Sequence, residues 1–283
     1  MTAPRCCEAS LEAGELLSAT AAFAESWLLV EVRGGWPRDV SEGGTLPEPA
    51  RSALRAWAER VPRSRILFVR RPGRVAERSL AFLVRAREEE GEVRRFELDG
   101  LEAFGDVDLD GGGERVPGSL VLVCGHGSRD RCCAERGTAA YRALEGGLRE
   151  EQLWVSSHHG GHRFAPNVLV LPAGLHFGRV PPAEAPSLVA RALSGTIELR
   201  RYRGRTCYEP PVQAAEHAVR AATGLNGVGD LALVGVEGGV VRFRGRDGGV
   251  HEAVVEEARG PAVPPSCGTQ PEPQRLFTAG LPA

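Results

Sequence analysis

Between Gly118 and Leu193 the chain alternates two kinds of apolar pattern, and their order leaves few ways to build a sheet. Leu120 to Cys124 is an apolar run that reads as a strand. After a polar loop, the residues from about Cys133 to Leu144 carry helical spacing. Leu153 to Ser157 and Val168 to Leu171 follow as two more strands, and a second helix is expected from about Pro182 to Leu193.

This β-α-β-β-α order suits a thioredoxin-like half-sheet. Upstream, Trp27 to Arg33 and Arg65 to Arg71 read as strands, with a helix over Pro49 to Arg60 between them that aligns Ala50, Leu54, Trp57 and Val61 on one face. Leu80 to Arg87 and Val93 to Leu98 flank a charged turn, and the Gly/Asp-rich run Asp106 to Gly113 reads as a linker. Downstream, a helix is expected over Val212 to Ala222. Leu231 to Val236, Val240 to Arg244 and Glu252 to Glu256 are separated by glycine turns and read as an antiparallel meander. The proline-rich tail from Pro261 onward is expected to be irregular.

The 283 residues, 42% hydrophobic and 25% charged, describe a folded chain with room for one large or two modest domains. A formal net charge of -2 gives no electrostatic ground for a nucleic acid or an anionic membrane as partner. All basic residues are Arg, a bias that reads as coding pressure rather than phosphate binding. No apolar stretch approaches the roughly 18 to 20 residues needed to cross a bilayer. Met1 to Glu8 lacks the basic and then apolar run of a signal peptide, so a cytoplasmic location is expected. Seven cysteines, an odd number, point in such a chain to metal or redox chemistry rather than a disulfide framework.

Two segments carry that chemistry: Cys124-Gly-His-Gly-Ser-Arg-Asp-Arg-Cys-Cys133 and Ser157-His-His-Gly-Gly-His-Arg-Phe-Ala-Pro-Asn167. The first sets one cysteine at the end of an apolar strand and another where the next helix begins. Helix amides and Arg129 there favour thiolate over thiol. In the second, Gly160 and Gly161 make a helix between the histidines unfavourable, so His158 and His162 are expected on a glycine-rich loop. Two thiols and two imidazoles suit Zn(II) or an iron-sulfur cluster, although the wide C-x8-C spacing is unlike that of zinc fingers. The bland alternative is a small buried Cys124, an inert Cys133 and histidines bonded to loop carbonyls.

These two segments, together with Leu171-Pro-Ala-Gly-Leu-His-Phe-Gly178, resemble the sucrase/ferredoxin-like family, whose fungal members include thioredoxin-like ferredoxins with a bis-histidinyl 2Fe-2S cluster. The resemblance extends through Cys6-Cys7, Trp27 to Glu31, Arg70 to Gly73, Gln213 to Glu216 and Ser266 to Gly268. It implies Cys124, Cys133, His158 and His162 as cluster ligands, with Cys133 rather than Cys132 as the second thiolate. His159 stands where relatives usually have an apolar residue and ranks second as a ligand. Nothing supports the sucrase half of the family's name, because no persuasive carboxylate pair for glycoside hydrolysis stands out.

Among the rest, Cys132 is expected to be structural or to lie just outside the ligands, since adjacent cysteines form only strained disulfides. His126, Arg129 and Asp130 divide between capping or ion pairing and hydrogen bonding to cluster sulfurs, and Arg163 between loop packing and a charge over the cluster. Cys6, Cys7, Cys207 and Cys267 are not expected to bind the cluster. Arg70 and Arg71 read as a solvated strand end in preference to a contact for an anionic partner. The expectation is an α/β chain with an N-terminal α/β domain (1–115), a thioredoxin-like 2Fe-2S ferredoxin domain (116–197) and a C-terminal α+β extension (198–283). It would act as an electron carrier for a redox partner protein rather than as an enzyme. The rivals are a zinc-stabilised, thioredoxin-like binding module and a thiol oxidoreductase using Cys132 and Cys133, which lacks C-x-x-C spacing.

Overall fold

The computed structural model describes residues 5–41, 43–73, 77–149 and 151–282, so Met1 to Pro4 of the stretch read for a signal peptide lie outside the described residues. The fold is mixed α/β. Helix α1 (Cys6–Glu12) leads into β1 (Ser26–Glu31), α2 (Glu48–Arg60), β2 (Ser64–Arg70), β3 (Ser79–Ala86) and β4 (Gly91–Leu98). A short β5 (Glu114–Arg115) precedes β6 (Leu120–Cys124), α3 (Arg131–Leu144), β7 (Leu153–Ser156), β8 (Val168–Leu171), β9 (Leu175–Phe177) and α4 (Ala185–Leu193). The chain continues through β10 (Tyr202–Arg205), α5 (Pro210–Thr223), β11 (Leu231–Glu237), β12 (Val240–Gly245), β13 (Val250–Val263) and β14 (Glu272–Gly280).

Ten strands form one sheet in the order β10-β9-β8-β6-β7-β2-β1-β3-β4-β5. Strand alternation divides its side chains between two cores. Leu28, Val30, Val121 and Val123 face α2, α3 and α4, which bury Leu54, Trp57, Tyr141, Leu144 and Leu188 against them. Trp27, Leu29, Leu122, Trp154 and Leu169 fill the other face.

Within the sheet one arrangement occurs twice. β1 pairs parallel with β2 and antiparallel with β3, which pairs antiparallel with β4. β6 pairs parallel with β7 and antiparallel with β8, which pairs antiparallel with β9. The two units meet edge to edge where β2 runs antiparallel to β7, with Val69 opposite Ser156 and Arg70 opposite Val155. One sheet therefore runs through both units. The Asp106 to Gly113 run stays against it, with Leu109 buried and Glu114 and Arg115 paired to β4.

Two expectations need correction. The tail is not irregular: β13 and β14 form a long hairpin, paired from Val254 with Gly280 to Val263 with Glu272, in a separate four-stranded sheet under α5. Nor are Arg70 and Arg71 a solvated strand end. Arg70 lies over the Trp36 ring at 4.4 Å, and Arg71 is buried over Trp154 at 4.7 Å, both cation-π contacts. Among the described residues no helix is long and apolar enough to cross a membrane.

Candidate metal centre

The centre lies at the end of β6. Asp130, in extended conformation, caps α3 by accepting the Cys132 N–H at 2.8 Å, a contact worth about 1 kcal/mol. This starts the helix at Arg131, with only residues 125–130 between it and Cys124, and puts Cys133 in its first turn. Gly137 then allows α3 to lie against the strand end, because a Cβ there would be driven into the Cys124 carbonyl oxygen.

The histidine loop is anchored in the seam between the two units. Ser157 donates its N–H to Phe68 O at 2.7 Å and accepts the Phe68 N–H through Oγ at 3.0 Å. His158 donates its N–H to His126 Nδ1 at 3.1 Å, and His126 Nε2–H donates to Pro37 O at 2.8 Å. Beyond it Gly160 (φ +110°) and Gly161 (φ +70°) take conformations closed to most side chains and turn the chain back, so that His162 opens a short 3-10 turn.

Three of the four residues expected as ligands converge. Cys124 Sγ and Cys133 Sγ each lie 3.8 Å from His158 Nδ1, and the three donor atoms fall within 4.8 Å of one another. His162 lies beside them, its ring centroid 4.8 Å from that of His158. Its Nε2–H donates to Pro265 O, with Asp130 Oδ2 at 3.9 Å, which leaves Nδ1 as the lone-pair nitrogen. That Nδ1 is buried and has no hydrogen-bond partner among the described residues.

Electrostatics hold Cys124, His158 and His162 in their ligating forms and leave Cys133 as the thiol that gives up its proton on binding. The Cys133 thiol donates to Cys124 and holds it well below the usual thiol range, with His158 assisting, while the same bond and burial push Cys133 up. Burial lowers His158 and His162, keeping both as neutral imidazole, the ligating form. A cavity of about 340 Å³ lined by Arg38, Arg65, Arg129, His126 and His158 opens onto the centre.

The neighbouring residues divide clearly. His159 turns away: it is fully buried, with Nδ1 3.0 Å from His176 Nε2, and burial lowers it to about 3. Arg163 Nε donates to Glu15 at 2.7 Å and stacks on Phe164, so it packs the loop. His126 positions the His158 backbone, and Asp130 serves as a helix cap.

Sequence reasoning missed the C-terminal hairpin tip, where Pro265 O reaches His162 and Cys267 N–H donates to Asp130 Oδ2 at 2.8 Å. It also missed that Cys6, Cys132 and Cys267 gather with Asp130. The cysteines at both ends of the chain were the available signal, but no local spacing relates them.

Two thiols and an imidazole nitrogen meeting at a strand end, with a second imidazole nitrogen unpartnered beside them, fit a zinc or iron-sulfur centre in their donor chemistry. The α/β fold built around that centre is the class this chain represents. The sucrase/ferredoxin-like family matches residues 17–204, which hold both sheet units and all four candidate ligands, and the chain belongs to that family.

Relatives include altered inheritance of mitochondria protein 32 of Meyerozyma guilliermondii, 32% identical over 31% of this chain and 35% of that protein. The protein of the same name from Eremothecium gossypii is 32% identical over 40% of this chain and 39% of its own length. This chain thus spans between a third and two fifths of the curated relatives it matches. No solved structure matches it.

Proposed function

We propose that Cys124, Cys133, His158 and His162 hold a 2Fe-2S cluster and that the chain carries single electrons to or from a redox partner protein. The observation that carries this reading is the His162 Nδ1, buried and without a hydrogen-bond partner among the described residues, on a ring 4.8 Å from that of His158 in the Cys124, Cys133 and His158 triad. When bound, the cluster supplies reversible one-electron chemistry, at a potential raised by replacing two thiolates with neutral imidazoles. The residues do the rest. His126 fixes His158, Pro265 O fixes the His162 tautomer, and Arg38, Arg65 and Arg129 around the cavity suit an acidic partner surface.

The β7-β6-β8-β9 order supports reading residues 116–197 as a thioredoxin-like ferredoxin unit between the segments 1–115 and 198–283. Seven unpaired cysteines suit a reducing compartment such as the cytoplasm. His158 and His162 retain titratable nitrogens, so the potential is expected to fall with rising pH between about 6 and 9. A flat profile would count against proton coupling.

The second reading is a zinc-stabilised binding module, favoured by the 3.8 Å sulfur-nitrogen separations. A single tetrahedral ion with ordinary bond lengths would set them at about 3.6 Å. Anaerobic purification separates the two. Visible absorption bands with about two iron and two acid-labile sulfide per chain support the cluster. A colourless chain without labile sulfide, its zinc bound by Cys124 and Cys133, supports the module.

A further inference from the structure

Three cysteines outside this centre meet at the start of α3 from distant parts of the chain. Cys6 opens α1, Cys132 is the second residue of α3, and Cys267 sits on the tip of the β13 to β14 hairpin. Their sulfurs form a triangle with edges of 3.6 Å (Cys6 to Cys132), 3.4 Å (Cys132 to Cys267) and 3.6 Å (Cys267 to Cys6). Asp130 Oδ1 closes it into a tetrahedron, 3.3 Å from Cys267 Sγ and 3.7 Å from Cys6 Sγ. All four donor atoms lie within 4.8 Å of one another. Cys6, Cys132 and Asp130 are buried, and Cys267 is half-buried.

Helix capping, a disulfide and a polynuclear cluster each leave part of this arrangement unexplained. Capping explains Asp130, which takes the Cys132 and Cys267 amides and the Ser266 hydroxyl. It does not explain three sulfurs at nearly equal separation. A disulfide would engage two of them at about 2.05 Å and leave the third idle. With three thiolates, a cluster of several irons would bind at least one of them through a different iron and so set it apart from the others, which the near-equal edges do not show. A single tetrahedral ion with metal-sulfur bonds of about 2.3 Å sets sulfur-sulfur edges near 3.8 Å, close to those observed.

We propose that Cys6, Cys132 and Cys267, with Asp130 as fourth ligand, form a second, closed, mononuclear site for structural Zn(II). Three thiolates and a carboxylate make a soft, fully protein-supplied shell with no open position, the character of a structural rather than a catalytic zinc site. On binding, each of the three thiols releases its proton to solvent and no electrons move. Adjacent helix residues point about 100° apart, so Cys133 serves the first centre while Cys132 serves the second. The ion would tie α1 and the hairpin tip to α3, and so hold Pro265 O on His162. This site does not depend on the identity of the first metal.

Zinc K-edge X-ray absorption of the full wild-type chain, purified with zinc present, tests this without any substitution. The expected shell holds three sulfurs at about 2.3 Å and one oxygen. A shell of two sulfurs and two nitrogens would place the zinc in the first centre and overturn the proposal, as would a chain without zinc.

Metal analysis of variants gives an independent reading. Cys124→Ser combined with Cys133→Ser should keep about one zinc per chain, and adding Cys267→Ser should abolish it. Cys7→Ser and Cys207→Ser should each keep it. Retention of zinc in the triple variant, or a mass two units low from a disulfide between Cys132 and Cys267, would refute the site.

Discussion

The two units of the large sheet share strand order and direction but differ in the segment that joins the first strand to the first helix. In the first unit β1 ends at Glu31, whose carboxylate accepts the Leu80 N–H at 2.9 Å, and α2 begins only at Glu48. In the second, β6 ends at Cys124 and only residues 125–130 precede α3. The short loop, the Asp130 cap and Gly137 hold the helix against the strand end, so a thiol from each meets there.

The long loop of the first unit supports this arrangement from outside. Trp36 O accepts the Ser128 hydroxyl at 2.6 Å, Pro37 O accepts from His126, and the Trp36 ring meets His126 edge-on at 5.7 Å. One topology thus provides a scaffold in one unit and a donor cluster in the other. Loop length and a few side chains decide which.

The largest expected effect tests which unit does the chemistry. Cys124→Ser or Cys133→Ser should abolish cluster assembly, because a serine oxygen is a poor substitute for a soft thiolate, whereas Cys132→Ser should retain it. Iron and labile sulfide counts decide. Cluster loss in Cys132→Ser with retention in Cys133→Ser would shift the ligand set by one residue.

Next in size is Gly137→Ala, which sharpens the contrast with α2, a helix without glycine. Its new methyl must push α3 away from the Cys124 carbonyl, at about 2 to 3 kcal/mol, and should also impair cluster assembly. Urea unfolding with parallel iron analysis would show both losses. Unchanged stability would mean that the close approach is not needed.

A smaller effect concerns the buried His159 and His176 pair behind the donor loop. Burial lowers His159 to about 3 and His176 well below its ordinary value, so the native state stays neutral where the unfolded chain takes up protons. Both states are neutral above about pH 6.5. Below it, stability falls with falling pH, by up to about 1.4 kcal/mol per unit for each histidine. Unfolding midpoints between pH 7 and 5 should show this slope, and His159→Leu should make it shallower.

The smallest expected change is in redox potential on replacing His159 with Leu, which should leave the cluster and its potential in place. His158→Cys should preserve a cluster while lowering its potential by adding negative charge. A large shift in His159→Leu with none in His158→Cys, read by redox titration, would reverse the ligand assignment.

Much of this was legible in the sequence because it is local. The apolar runs of β1 to β4 and of β6, β7 and β8 announce strands, and the periodicity of Leu54 and Trp57 or Tyr141 and Leu144 announces helices. The spacing of Cys124 and Cys133 and the histidine-rich loop pointed to Cys124, Cys133 and His158, whose donor atoms the fold brings together, and Gly160 with Gly161 marked the turn that separates His162 from His159.

The hidden features depend on partners far away in the chain. β9 spans only Leu175–Phe177, and β14, with Pro273 near its start, is a strand because β13 lies beside it. Cys6 and Cys267 are 261 residues apart, so no pattern along the chain relates them. The same holds for the Pro265 carbonyl that orients His162.

The most direct test of the central claim is pulsed electron paramagnetic resonance of the anaerobically purified, chemically reduced chain. A 2Fe-2S centre bound by Cys124, Cys133, His158 and His162 predicts a spin-one-half signal with couplings to two imidazole nitrogens, one of which disappears in His158→Cys. A signal without nitrogen couplings, or the absence of any signal from a chain that retains iron and labile sulfide, would contradict it.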